Sequence, residues 1–317
     1  MKKTALLFPG QGSQYVGMGQ KFAEQDADAD DLFTIGELVC GLPLRKLCFE
    51  GPMEDLTRVV TLQPALTVVN LICWQQLLKR LPEFRPLCVA GHSLGEYSAL
   101  HAAGVLTRED TLALVTRRGE LMEREGTLNP GGMRAIVGFS REEIARMLAE
   151  VREEGQVVVA NYNTPAQVVV SGDEAGLLAL GKLCKKRGGK VLSLKVSVAN
   201  HSPLVAGAVA DFTSFMQGIA FASPSLPVVF NVTGSVLNQP EEMRAVMAQQ
   251  IVSPVRWVEV IEYMLALGVD VFLELGPKQV LTKMMKKMLP STSSHVCLQA
   301  DSPETIEAAV AVITGRS

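Results

Sequence analysis

The hydrophobic pattern of this chain alternates between short apolar runs and longer stretches of helical period. Thr4 to Phe8 is a compact apolar run that stops at Pro9-Gly10, and it reads as a buried strand. Residues 15–60 read as helical and irregular, with acidic stretches at 24–26 and 28–31 taken as solvated surface. Gln63-Pro64 then opens a helix to about Leu78, since proline suits a first turn where its missing N–H costs nothing. That helix is apolar almost all round, which predicts burial. Pro86 to Ala90 is a second apolar run and a second buried strand, followed at once by the helix formers Glu96 to Ala103. Thr107, with Glu109 and Asp110 behind it, predicts the cap of a helix to about Glu125.

The texture changes after Asn129-Pro130-Gly131-Gly132. Strand 133–137, helix 141–150, strands 157–160 and 167–171, helix 174–187 and strand 190–194 follow in turn. This β-α-β-β-α-β order is that of a ferredoxin-like unit. Beyond it come a helix ending near Gly218, a strand at 228–232, a helix at 241–251, a final strand at 271–275 and a helix at 280–288. The fold expected is α/β: a hydrolase-like parallel-sheet core over 1–130 and 197–317, with an inserted ferredoxin-like subdomain over 131–196.

Composition narrows the classes. The 317 residues are 48% hydrophobic with a formal net charge of −3, enough for a sizeable core and against nucleic-acid binding as a default. The six cysteines form no C-x-x-C pair and read as buried thiols in a reducing compartment, with metal ligation unexpected. The apolar part of the N-terminus ends at Pro9, too early for a signal peptide. No run approaches the roughly 18 apolar residues of a membrane span. A cytoplasmic protein without a membrane partner is expected.

Between the second strand and its helix lies Gly91-His92-Ser93-Leu94-Gly95, the G-x-S-x-G pattern of a nucleophile elbow. Side chains at 91 and 95 would collide with neighbouring backbone in so sharp a turn. Ser93 would then stand at a sheet edge and a helix N-terminus, where an oxyanion can be stabilised. The loop Pro9 to Gln14 lacks the spacing of a phosphate or dinucleotide loop and fits better beside this elbow. A serine needs a base. His92 should point away from Ser93, His101 lies about 12 Å down the helix, and His295 sits in a Ser/Thr-rich, exposed-looking segment. His201 remains, where the subdomain rejoins the core. No acid is marked out as a third member: Asp211 and Glu274 are possible, and a backbone carbonyl could equally orient the imidazole.

The motifs Phe8-Pro9-Gly10-Gln11-Gly12-Ser13-Gln14, Gln63-Pro64-Ala65-Leu66, Gly91 to Glu96, Arg118-Gly119, Asn161 to Pro165, Asn200-His201-Ser202, and Gln250 with Ser253-Pro254-Val255 and Trp257 occur in order. With them the chain resembles, over nearly its whole length, the malonyl-CoA:acyl carrier protein transacylases of type II fatty acid synthesis and free-standing polyketide acyltransferases. The resemblance implies Ser93 as the acylated nucleophile and His201 as its base. It implies the N–H groups of Gln11 and Leu94 as the oxyanion hole and Arg118 as the partner of the malonyl carboxylate. It also implies that Gln63 lines the pocket and that the carbonyl of Gln250 orients the imidazole. Malonyl-CoA would be substrate rather than a bound cofactor, and the acyl carrier protein in its phosphopantetheine form the second partner. No tightly bound cofactor or metal is expected.

Two positions depart from the family. Asn200 stands where Phe or Ser is usual, which loosens the expectation of strict malonyl preference. Lys278 replaces a glycine after Gly276-Pro277, where a left-handed backbone would be awkward for lysine; a local turn change is expected. Basic clusters at Lys185-Lys186-Arg187 with Lys190, and at Lys283 with Lys286-Lys287, could dock an acidic carrier or be ordinary helix faces. The rival functions are a serine hydrolase or thioesterase, the transacylase of a polyketide or malonate decarboxylase system, and a non-catalytic carrier-binding module.

Overall fold

The computed structural model describes residues 1–196 and 198–316; Ser197, where the sequence places the start of the second core segment, and Ser317 lie outside the described residues. The strands are β1 (Thr4–Phe8), β2 (Cys88–Gly91), β3 (Gly132–Val137), β4 (Val157–Thr164), β5 (Gln167–Gly172), β6 (Lys190–Ser193), β7 (Val271–Leu275) and β8 (Val296–Ala300). They form a parallel sheet, β2-β1-β7-β8, and a separate antiparallel sheet, β4-β5-β3-β6.

Every residue of β1, β2 and β7 is buried, as a parallel sheet covered on both faces requires. Alternation of side chains divides them between two layers. Leu6, Phe8, Val89 and Leu273 pack with helices Val59–Arg80 and Arg108–Leu128. Ala5, Leu7, Ala90 and Phe272 pack with Trp257, Ile261 and Leu281 of the helices behind. In the second sheet, Ile136, Val168 and Val170 bury Ile144, Met147, Leu177 and Leu180 of its two helices. Its strand order is that of a ferredoxin-like unit. The edge strand β4 is stitched to the larger sheet's layer: Val255 N donates to Ala160 O at 2.8 Å, and Tyr162 N to Val255 O at 2.9 Å.

Several elements differ from the sequence reading. The apolar helix starts at Val59, so Pro64 lies inside it rather than at its first turn. The expected strand at 228–232 is reduced to two isolated bridges, Val228 with Val89 and Val229 with Val236. The chain leaves the sheet there because the Asn231 side chain turns into the elbow. Strand β4 runs on to Thr164, carrying Asn161 and Asn163. The helix 241–251 ends at Gln249 and tightens into a 3-10 turn, Gln250–Val252. Strand 271–275 is not the last: β8 follows it, then helix Pro303–Thr314. His295, just before β8, is half-buried against the Phe272 ring. Asp26 and Asp30 are not merely solvated: Asp26 caps a helix and holds Lys79, and Asp30 holds Arg45. Cys40 and Cys297 are only half-buried; the other four thiols are buried. No helix among the described residues is long and apolar enough to cross a membrane.

Candidate active site

Two glycines make the elbow possible. A Cβ on Gly91 would lie 1.9 Å from the carbonyl carbon of Gly95, and one on Gly95 would lie 2.0 Å from Phe8 O. Any larger residue would push β1, β2 and the helix Gly95–Ala102 apart. Ser93 adopts φ 52°, a left-handed backbone unusual for a residue with a side chain. That conformation is held at both ends: Ser93 N donates to Asn231 Oδ1 at 2.7 Å, and Ser93 O accepts from Gln250 Nε2 at 2.9 Å. Asn231 in turn donates to Gly91 O at 2.8 Å.

Ser93 Oγ is 2.7 Å from His201 Nε2. His201 is 3% exposed and also has positive φ, 59°. Its Nδ1 lies 2.9 Å from both Gln250 O and Ser253 O. Carbonyl oxygens only accept, so Nδ1 carries the proton and Nε2 is left with its lone pair facing the serine hydroxyl. Burial, then the nearby charge of Arg118, lowers the His201 pKa to about 3. The imidazole is therefore neutral, the form that can take the Ser93 proton. The tight turn at Gln250–Val252 is what swings both carbonyls toward the ring. Among the described residues no acid bonds the imidazole: Asp211 pairs with Arg124 at the surface, and Glu274 caps the helix Val280–Met288 through Leu281 N and Thr282 N.

Arg118 is 1% exposed. Its Nη1 donates to Gln63 Oε1 at 2.9 Å, and its Nη2 reaches Gln250 Oε1 at 3.2 Å and Ser93 Oγ at 3.3 Å. Its Nε is buried without a partner, and among the described residues no carboxylate lies within salt-bridge distance of it. Arg117 beside it turns outward to Glu120. A buried guanidinium held by neutral amides beside a serine hydroxyl can pair with an anionic group.

The loop after β1 lies against the elbow, with His92 N donating to Phe8 O at 2.9 Å. Neither Gln11 N nor Leu94 N donates to a protein acceptor among the described residues. His92 bonds Asn163 Oδ1 at 2.8 Å and packs on Trp257. His101 bonds Leu106 O and lines a separate cavity of about 830 Å³ with Trp74 and Phe84. A cleft of about 950 Å³ opens between the two sheets' units, over Gln11, Leu62 and Asn200 on one side and Leu194 on the other. Lys278 lies on its wall with φ 61°, so the left-handed turn is kept despite the lysine. Asn200 is 6% exposed and its Oδ1 has no partner. No cluster of metal-ligating side chains occurs among the described residues.

Asn231 and the Ser253 carbonyl were not legible as site groups from sequence. Asn231 lies within a run that reads as strand, and a backbone carbonyl leaves no mark on residue type.

The acyl transferase domain family matches residues 5–314. The chain is 36% identical over 314 residues to the malonyl CoA-acyl carrier protein transacylase of Bacillus subtilis strain 168, covering 98% of this chain and 97% of that one. The solved malonyl CoA-acyl carrier protein transacylase of Coxiella burnetii superposes with a TM-score of 0.94 at 32% identity, covering 99% of this chain and 98% of that one. A malonyl-transacylase solved in complex with a type II polyketide-synthase acyl-carrier protein superposes at 0.92 and 33% identity, covering 99% and 100%. With a match from the first strand to the last helix, the chain belongs to the acyl transferase domain family.

Proposed function

We propose that this protein is an acyltransferase that moves a malonyl group from malonyl-CoA to the phosphopantetheine thiol of an acyl carrier protein through a malonyl ester of Ser93. In the first step His201 Nε2 takes the proton of Ser93 Oγ as the oxygen attacks the thioester carbonyl. The oxyanion that forms accepts from the free N–H groups of Gln11 and Leu94. Collapse breaks the carbon–sulfur bond, and the imidazolium returns its proton to the CoA sulfur. In the second step the carrier thiol gives its proton to His201 and attacks the ester. Ser93 leaves with that proton. The carbonyls of Gln250 and Ser253 hold the imidazole through both steps.

The observation that carries this reading is Arg118: a buried cation in direct contact with no carboxylate among the described residues, 3.3 Å from Ser93 Oγ. A malonyl group attached at Ser93 presents a carboxylate there, and Gln63 holds the guanidinium in place. Docking that carboxylate also offsets one of the causes that depress His201, making the base stronger when the right acyl group is bound. A serine hydrolase would share the elbow and leave Arg118 without a task.

The reading assigns residues 1–130 and 197–317 to the core and 131–196 to the inserted subdomain, with the carrier arm entering the cleft between them. The exposed lysines at 185, 186 and 190 and at 283, 286 and 287 are candidate contacts for an acidic carrier. The carrier would serve fatty acid or polyketide synthesis in the cytoplasm. Intact-protein mass spectrometry after mixing with malonyl-, methylmalonyl- and acetyl-CoA tests the proposal. A malonyl adduct that clears on adding holo carrier protein supports it; clearance as fast in water as with the thiol supports a hydrolase instead.

A further inference from the structure

The steps above leave one buried carboxylate without a task. Glu96, on the first turn of the elbow helix, is wholly buried. Its Oε1 accepts from Asn231 N at 2.7 Å and its Oε2 from Gln250 Nε2 at 2.5 Å. The same Gln250 amide accepts from Arg118 through its oxygen. One neutral amide therefore separates a buried carboxylate from a buried guanidinium. The titratable groups around Glu96 are Tyr97 on its own helix and Arg118; the 231 and 250 segments present only amides to it.

The charges can be counted. The charges of Arg118 and Glu96 cancel. A docked malonyl carboxylate adds one negative charge beside these buried side chains, and an uncompensated buried charge is costly. We propose that Glu96 is a specificity-determining residue that takes up one proton when the substrate carboxylate docks on Arg118, so that the buried site accepts a singly charged acyl group and stays neutral. This rests on the reading of Arg118 as the carboxylate's partner.

The hydrogen bonds permit the change. A proton on Glu96 Oε2 needs an acceptor, which the Gln250 amide supplies by turning its oxygen toward Glu96; the turn gives up the Gln250 Nε2 bond to Ser93 O and the Arg118 bond to Gln250 Oε1. Its NH₂ then faces the docked carboxylate. Glu96 Oε1 keeps the bond from Asn231 N, and Ser93 O keeps the bond from Glu96 N at 3.1 Å. Burial already raises the Glu96 pKa to about 7, against the opposing pull of Gln250, Asn231 and Arg118. A second negative charge beside Arg118 raises it further, so the direction is uptake.

The test is a stopped-flow measurement with a pH indicator in weak buffer at pH 7.5, normalised to acylated sites by mass spectrometry. Transfer from CoA to Ser93 exchanges a hydroxyl proton for a thiol proton and is proton-neutral for any acyl group. Malonyl-CoA should nevertheless take up roughly half a proton or more per site, and acetyl-CoA none. The excess should persist in His201→Ala, measured over its slower acylation, and vanish in Glu96→Gln. In the wild type the ratio of kcat/KM for malonyl-CoA over acetyl-CoA should fall with rising pH above about 7, by up to about tenfold per unit; in Glu96→Gln it should be flat. No excess uptake in the wild type, or uptake lost in His201→Ala, overturns the proposal even where Glu96→Gln does not fold. Loss of malonyl preference in Arg118→Ala without any excess uptake in the wild type would sink the Glu96 proposal and leave the Arg118 reading intact. Unchanged preference in Arg118→Ala would sink both.

Discussion

At Ser93 and His201 the account rests on a 2.7 Å contact between Oγ and Nε2. Ser93→Ala should leave the fold intact and gain no malonyl mass; an adduct on the variant in a brief incubation contradicts the assignment. His201→Ala should slow single-turnover acylation by about 10²–10⁴-fold. His101→Ala, whose ring bonds Leu106 O away from the nucleophile, should keep most of the chemistry in folded protein. Because burial and Arg118 hold His201 neutral well below the usual histidine range, the acid limb of acylation should show no break near pH 6.5. Such a break, persisting in His92→Ala and His101→Ala, would argue against the buried neutral base. These residues were legible in the sequence because the elbow fixes Ser93 and elimination leaves His201. Asn231 and Glu96 were not assigned roles, because their partners, the Ser93 and Gly91 backbone for Asn231 and Asn231 N with the Gln250 amide for Glu96, are brought near only by the fold.

At the scale of elements, the elbow depends on contacts between β1, β2 and the helix that follows. Gly95→Ala would place a methyl 2.0 Å from Phe8 O, a backbone atom that cannot step aside. It should destabilise by at least the 1–3 kcal/mol usual for overpacking and remove acylation, read by denaturant melts and mass spectrometry. Asn231→Ala leaves the Ser93 N–H without its acceptor and should cost about 1–3 kcal/mol. A variant with unchanged stability and unchanged acylation would remove Asn231 from the account. The apolar runs of β1, β2 and β7 were readable because parallel strands buried on both faces leave continuous hydrophobic stretches. The edge strand β8 was hidden: Val296 to Gln299 are only half-buried and follow a Ser/Thr-rich stretch. Pro64 misled because proline marks first turns, yet here tertiary packing carries the helix one turn further back, to Val59.

At the scale of the molecule, buried titratable groups set opposing pH dependences. The unfolded chain binds a proton at His201 near the ordinary histidine value, while the folded chain does so only near pH 3, so its contribution to stability is full above pH 6.5 and is lost toward pH 3. Glu274, with its folded pKa raised to about 7 by burial, has the reverse sign: its contribution is full below about 4.5 and lost as pH rises to 7. Glu274→Gln should therefore flatten the decline of Tm between pH 4.5 and 7. An identical slope in both proteins would contradict a carboxyl that is neutral when folded. The presence of a second, separate sheet was legible from the change of period after Gly132. The stitching of β4 to Val255, which brings Asn163 to His92, was not, because it is a pairing between backbones far apart in sequence.

The central claim is that Arg118 reads the free carboxylate of the acyl group, and the ratio of kcat/KM for malonyl-CoA over acetyl-CoA tests it most directly. Charge-assisted hydrogen bonds in such a site contribute roughly 1.5–3 kcal/mol, so Arg118→Ala should lower malonyl transfer by about tenfold or more while acetyl transfer falls little or rises. Arg118→Lys should restore it only in part, since an ammonium lacks the two-pronged fit. Equal loss for both substrates in Arg118→Ala, or inversion of the ratio by Arg117→Ala instead, would contradict the account.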